Sequence, residues 1–519
     1  MTLISRIFGF FRDVVIARAF GAGMTTDAFF VAFALPNMLR RLFAEGAFSH
    51  AFVPILSEYK NMQGEDKTKK LVDLVATLLF LAVFAVTLVG VIGAPIIVRI
   101  IAPGFYSHPD QFALTVELTR MTFPYILFIS LTALAGGILN TFSRFTIPAF
   151  TPVLLNLSII GMALYAAPHF SQPVIALGWA VFLGGMLQLL LQTPSLQRIG
   201  MLPRFALSLN DPGVNRILKL MAPAVLGVSA TQISLLINIM HASRLESGSV
   251  SWIYYADRLM EFPTSLLGVA LGTILLPSLS KCYASGDFDE YSRLLDWGLR
   301  LTLLLAVPAA VALAILSVPI ISTLFFRGAF TAESVFNTSN ALAAYSIGLT
   351  ALILVKVLAP GFYARQNIRT PVKIAILSLV VTQSLNLVFI YVLHFKHVSL
   401  ALSISLAACL NATLLYIGLL RQKIFSPQPG WLSFFAKLTI ALVVMGVALI
   451  FSKGVSGNFL ELTSIERLAR LSLIIGFGSA AYFATLWCCG FRLHDFKRYV
   501  TAAALSSTSK CDNSKTTEE

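Results

Sequence analysis

The sequence predicts an all-α polytopic membrane protein of about 14 transmembrane helices, in two pseudo-symmetric six-helix lobes plus two C-terminal helices. Three observations predict it: a composition suited to lipid, a ladder of apolar runs cut by turn signals, and a one-sided distribution of Lys and Arg. Hydrophobic residues make up 57% of the 519 and charged residues only 12%, with a mean hydropathy of +0.82. Soluble domains carry about 25% charged residues, so most of this chain belongs in the bilayer, with little left for a soluble catalytic domain. Arg6, Arg12 and Asp13 interrupt the opening residues, so no cleavable signal peptide is read and the chain opens close to or inside its first helix.

Taken in order, the first segment, 3–20, ends at Gly21-Ala22-Gly23, and the second, 26–58, runs to the polar stretch around Gly64. The third, 71–102, stops at Pro103-Gly104; the fourth, 114–142, follows His108-Pro109 and stops at Ser143-Arg144. The fifth and sixth, 146–167 and 173–194, are parted by HFSQP, and a basic linker leads to the seventh, 217–243. SRLESGS and then SGDFDE bound the eighth, 250–280, and RGAFTAE separates the ninth, 297–326, from the tenth, 335–363. RQNIRTP opens the eleventh, 372–394, HFKH the twelfth, 398–420, and SPQPG the thirteenth, 432–452. The fourteenth, 467–490, precedes a polar tail from Ser506 whose composition predicts disorder.

Charge asymmetry orients these segments. With the N-terminus inside, the loops at 60–70, 143–145, 195–219, 280–300, 364–373 and 421–437 and the tail 492–519 hold 23 Lys and Arg, against six in the opposite loops. Both termini are therefore expected in the cytoplasm. The net charge of +14 is a topology signal, because no Lys/Arg-rich module with interleaved aromatics marks a nucleic-acid partner. A repeat of 223 to 224 residues pairs Pro54 with Pro277, Ser57 with Ser280, Pro95 with Pro319 and Gly104 with Gly328. The expected domains are an N-lobe over 1–199, a C-lobe over 200–424, a helix pair over 425–491 and a cytoplasmic tail over 492–519.

Charges inside the predicted spans are the functional signal. On the first segment Ser5, Arg6, Gly9, Arg12 and Asp13 fall within about a third of the helix circumference, and Arg18 lies on another face. The second carries Asp27 and then a stripe of Asn37, Arg41 and Glu45 flanked by Arg40, and Pro36 predicts a local break whose freed carbonyl could face a cavity. On the eighth, Ser251, Tyr254, Arg258 and Glu261 share a face beside Asp257. Facing lipid, Arg6, Arg12, Arg40, Arg41 and Arg258 would cost on the order of 12 to 18 kcal/mol together. They are expected to line a watery cavity or to pair inside the bundle. Pairing of Arg12 with Asp13 or Asp27, Arg41 with Glu45 and Arg258 with Glu261 is the structural alternative, yet the arginines outnumber the acids. A net positive cavity suits phosphate, which guanidinium grips with two parallel donors.

Other features carry less. Lys356 could cap a carbonyl or touch substrate, and Asn238, Thr382, Gln383 and Asn386 suit helix-to-helix hydrogen bonds better than an ion site, since they include no carboxylate. The histidines and the five cysteines show no metal or disulfide spacing, so neither cofactor nor metal is expected, and no catalytic constellation stands out. A membrane scaffold would have no reason to bury arginines, and a cation antiporter would line its cavity with acids.

The segments SRIFGFFRD, FGAGMTTDAFFVAFALPNMLRRLFAEGAFSHAFVPILSEY, GSVSWIYYADRLMEFPTSLLGVALGTILLPSLS and VKVLAPGFYARQNIRTPVKIA closely resemble the MurJ/MviN family of lipid II flippases, in the multidrug/oligosaccharidyl-lipid/polysaccharide exporter superfamily. The resemblance covers nearly the whole chain. It implies a fourteen-helix inner-membrane transporter that is not an enzyme. Its substrate would be lipid II, the undecaprenyl-diphosphate-linked peptidoglycan precursor, moved to the periplasmic leaflet for cell wall biogenesis; another polyprenyl-diphosphate-linked oligosaccharide is the alternative. Membrane lipids and the cell-wall synthesis machinery are the implied partners. The family's cavity arginines fall on Arg6, Arg12, Arg40 and Arg258, and its other cavity polar residues on Asp13, Asp27, Asn37, Ser251 and Glu261; Arg41 joins them from the stripe. The last two helices would frame a groove for the lipid tail. The family's first helix begins upstream of the position of Met1, and where some members place sodium-binding carboxylates in the seventh and eleventh helices this chain has Asn238 and Asn386.

Overall fold

A computed structural model describes residues 2–44, 47–208, 211–455 and 458–492. Glu45 and the tail from Ser506 lie outside the described residues. The described residues form helices α1 (Thr2–Phe20), α2 (Met24–Ala44), α3 (Ala47–Met62), α4 (Glu65–Ile92), α5 (Ala94–Ile101), α6 (Pro109–Thr122), α7 (Tyr125–Thr141), α8 (Thr146–Gly161) and α9 (Ile175–Arg198). They continue as α10 (Pro212–Ala242), α11 (Ser249–Ser285), α12 (Phe288–Ile315), α13 (Ser317–Phe325), α14 (Ala332–Tyr363), α15 (Arg369–Leu387), α16 (Val398–Arg421), α17 (Trp431–Val455) and α18 (Ser464–Cys488). Among the described residues, 11 helices are long and apolar enough to cross a membrane. The first, second and seventh predicted segments are helical as well but are not among those 11; the first two hold Arg6, Arg12, Asp13, Asp27, Arg40 and Arg41, whose charges lower their hydropathy.

Several predicted spans are broken where the sequence supplies a reason. The third is α4 followed by α5, because Pro95 cannot donate the N–H a continuous helix would need; the fourth divides into α6 and α7 at Pro124; the ninth divides at Leu316 ahead of Pro319. Side chains start other helices: Asp211 accepts from the Gly213 and Val214 amides ahead of α10, Asp287 caps α12, and Thr463 with Glu466 forms a capping box on α18. The repeat is visible in these elements. The long-short pair α4–α5 recurs 223 to 224 residues later as α12–α13, and both α8 and α15 run on into a π-helical turn, Met162–Ala166 and Val388–Val392.

Two compact units result. The first comprises 1–255 with the segments 324–337 and 383–400; the second comprises 256–323, 338–382 and 401–519. In the first, Phe52 and Ile55 of α3, Leu71 and Val75 of α4, Ile138 of α7 and Val214 of α10 share one core. Small residues bring its backbones close, as association in lipid requires: a Cβ on Gly184 would lie 2.8 Å from Leu155 and one on Gly185 2.7 Å from Tyr125. His397 ties the added segments in, meeting the Asn337 carbonyl at 2.9 Å and the Trp252 ring at 5.0 Å between centroids. In the second unit Leu275 and Leu279 of α11 pack on Leu295, Val357, Phe362 and Leu415. There α17 and α18 pair through Leu438, Met445, Leu449, Leu471 and Tyr482, whose hydroxyl donates to the Leu304 carbonyl at 2.7 Å.

Candidate functional site

Arg12 sits at the centre of a polar knot in the first unit. It is 8% exposed, and its Nε and Nη2 donate to Asp13 Oδ1 at 3.0 and 2.7 Å. Nη1 donates to Asn156 Oδ1 of α8 at 3.2 Å and Nη2 to the Tyr254 hydroxyl at 2.9 Å. Tyr254 in turn donates to Asp13 Oδ1 at 3.1 Å, and its ring lies flat on Phe30, 3.9 Å between centroids. Asn156 also donates to the Ser5 carbonyl at 3.3 Å, which holds α1 against α8 beside Gly9. The expected Arg12–Asp13 pair is therefore present, and two neutral groups orient it. Tyr254 stands on the polar face read for the eighth segment, whereas Asn156 lies outside the expected site, although it shows in the sequence as a lone amide in the apolar run VLLNLSII.

Asp27 and Ser251, predicted separately, meet directly. Asp27 is 1% exposed; its carboxylate accepts from the Gly248 amide at 2.7 Å, the Ser251 amide at 2.8 Å and the Ser251 hydroxyl at 2.5 Å. A carboxylate from α2 thus caps the N-terminus of α11, where unsatisfied amides and the helix dipole favour negative charge. Gly248 makes the turn, with φ at 99° and no room for a Cβ beside Trp252.

The inner half of α2 differs from the expectation in one respect. Pro36 leaves the helix continuous, and the Ala32 carbonyl it frees accepts from the Thr122 hydroxyl at 3.0 Å rather than facing open space. Beyond it Arg40 Nε donates to Asn37 Oδ1 at 3.1 Å, and Arg41 is half-buried. Arg6 is exposed. Neither Arg6 nor Arg41 forms an ion pair among the described residues. The other predicted members lie in the second unit. Arg258 Nη1 pairs with Glu261 Oε2 at 2.9 Å, both part-exposed, and Lys356 reaches the Thr264 carbonyl at 3.4 Å over Gly268.

The amide cluster cross-links α10 to α15. Asn238 Oδ1 accepts from Asn386 at 2.9 Å and from Gln383 at 3.2 Å, and Gln383 also donates to Ser234 at 3.0 Å. An oxygen already holding two amide protons, with no carboxylate beside it, does not fit a sodium ion. Among the described residues no group of three His, Cys, Asp or Glu could hold a metal.

The model of the family described as lipid II flippase MurJ matches residues 16–469. A curated lipid II flippase MurJ from Burkholderia cenocepacia is 52% identical over 502 residues, spanning 96% of this chain and 97% of that protein. A probable lipid II flippase MurJ from Vibrio cholerae is 42% identical, spanning 96% of each. Among solved structures, a lipid II flippase MurJ in an inward closed conformation superposes with a TM-score of 0.77 at 27% identity, over 93% of this chain and 96% of that one. An inward-facing multidrug resistance transporter of the MATE family shares the fold, with a TM-score of 0.62 at 14% identity over 82% and 95%. This chain, with its all-helical fold and arginine-bearing helices, belongs to the lipid II flippase MurJ family, a family of membrane transporters and not of enzymes.

Proposed function

We propose that the chain is a lipid II flippase of the bacterial inner membrane, with both termini in the cytoplasm. It carries the undecaprenyl-diphosphate-linked precursor to the periplasmic leaflet by alternating access of a 1–199 lobe and a 200–424 lobe. The observation that carries this reading is the balance of charge on α1 and α2. Asp13 is committed to Arg12 and Asp27 to the N-terminus of α11, which leaves Arg6, Arg18, Arg40 and Arg41 against Glu45 as the one further acid in residues 1–45. The surplus is positive, which suits a diphosphate and not a cation. Arg6, Arg12, Arg40 and Arg258 hold the diphosphate and head group, with Asp13, Asp27, Asn37, Arg41, Ser251 and Glu261 shaping their surroundings. Helices α17 and α18, in 425–491, flank the prenyl tail, and 492–519 is a cytoplasmic tail. No covalent step is required.

Arg12→Ala and Arg258→Ala, each reconstituted in vesicles with lipid II, should lose translocation by at least about tenfold, the factor that about 1.4 kcal/mol of lost binding represents. Monodisperse elution and an unchanged helical circular dichroism signal establish that the variants fold. Full translocation by both would overturn the site.

A further inference from the structure

In the second unit, where α15 begins and α16 ends, the two helices leave a crevice of about 240 Å³ between them. Its walls are apolar, Ile374 and Leu377 from α15 and Leu414 and Ile417 from α16, and Lys373 and Arg421 stand in its lining as the two cations. A crevice of this size takes a stretch of one acyl chain and leaves the head group at its rim. Ile376, Leu377, Val380 and Ile417 are exposed around it, a surface that only hydrocarbon covers well in a membrane.

The two helices bring charge of one sign to this end. Arg369 opens α15 with Lys373 one turn on, Arg421 closes α16 and Lys423 follows. The sequence has no Asp or Glu between Glu333 and Glu461. None of these four cations forms an ion pair among the described residues. The start of α15 adds the positive end of a helix dipole. Long basic side chains at a helix end lie along apolar surface with their heads at the lipid phosphates.

We propose that this crevice binds an anionic phospholipid, with one acyl chain between Leu377 and Leu414 and the phosphate between Lys373 and Arg421. It uses none of the residues assigned to the transported substrate, and it stands whether or not that assignment does. A cation beside an anionic lipid contributes roughly fivefold in affinity, so two give about a 25-fold preference over a zwitterionic lipid.

Full-length protein in nanodiscs is photolabelled with tail-diazirine phosphatidylglycerol or phosphatidylcholine, and the labelled peptides are mapped. The expected result is labelling at 374–377 and 414–417, about 25-fold stronger with phosphatidylglycerol. Lys373→Ala with Arg421→Ala should bring the ratio close to one with phosphatidylcholine labelling unchanged, and Lys373→Arg with Arg421→Lys should keep the preference. Equal labelling of the unsubstituted protein by both lipids, a test that needs no variant, would refute the site. So would a preference that survives the double alanine change, or one abolished by excess inorganic phosphate, which would mark a small-anion site.

Discussion

At the scale of single residues, charges inside the spans are held by geometry that single positions in the sequence do not declare. Arg12 and Asp13 are sequence neighbours, which point about 100° apart on a helix, yet they pair because Tyr254 and Asn156 turn the guanidinium toward the carboxylate. Asp27 reads in the sequence as one more intramembrane acid, and the structure gives it a defined task as the cap of α11. Removing it strands two buried amide donors, each costing about 1 to 3 kcal/mol. Asp27→Ala should therefore lower the thermal unfolding midpoint in detergent clearly more than Asp27→Asn, which keeps an acceptor. Equal midpoints for the two variants and the parent would contradict the capping role. The arginines and Asp27 were legible because charge in an apolar run is conspicuous. Asn156 was not, because a single amide is common in such helices, and the polar face that carries Tyr254 does not by itself show that its hydroxyl meets Arg12.

At the scale of elements, the internal repeat builds two matched close approaches. After α5, a Cβ on Gly104 would fall 2.0 Å from the Ser243 carbonyl just past α10. After α13, one on Gly328 would fall 2.3 Å from the Arg18 carbonyl near the end of α1, where Ala329 N–H donates to that same carbonyl at 3.0 Å. The loop of each repeat thus meets the first helix of the other, both contacts lying within the first unit. Gly328 also has φ at 60°, which a side chain resists. Gly104→Ala and Gly328→Ala should each destabilise by about 1 to 3 kcal/mol through overpacking. Gly161→Ala, in open space where α8 continues into the π-helical turn with helical backbone angles, should stabilise by about 0.5 to 1 kcal/mol. Differential scanning calorimetry of the three variants decides this, and an unperturbed Gly104→Ala would count against the paired contact. The repeat was readable as spaced Pro and Gly. Its consequence was not, since spacing does not reveal which distant backbone a glycine makes room for.

At the scale of the whole molecule, the prediction concerns sidedness. In a chain freed of its own cysteines, Asn61→Cys should resist a membrane-impermeant maleimide in intact cells and Ser247→Cys should react, both positions being exposed; the reverse pattern would invert the topology. The sequence by itself determined that this protein is helical, lies in lipid, repeats internally and buries arginines, because hydropathy, breaker spacing and the cost of a charge in hydrocarbon are properties of composition and period. It determined the family too, through long motifs. Only the tertiary structure decided that Arg12 keeps Asp13 and not Asp27, that the carbonyl freed by Pro36 goes to Thr122, and that 324–337 and 383–400 join the first unit. Those outcomes depend on contacts between residues tens to hundreds of positions apart, and an unpaired polar group in lipid is costly enough that each finds whichever partner the packed helices bring within reach.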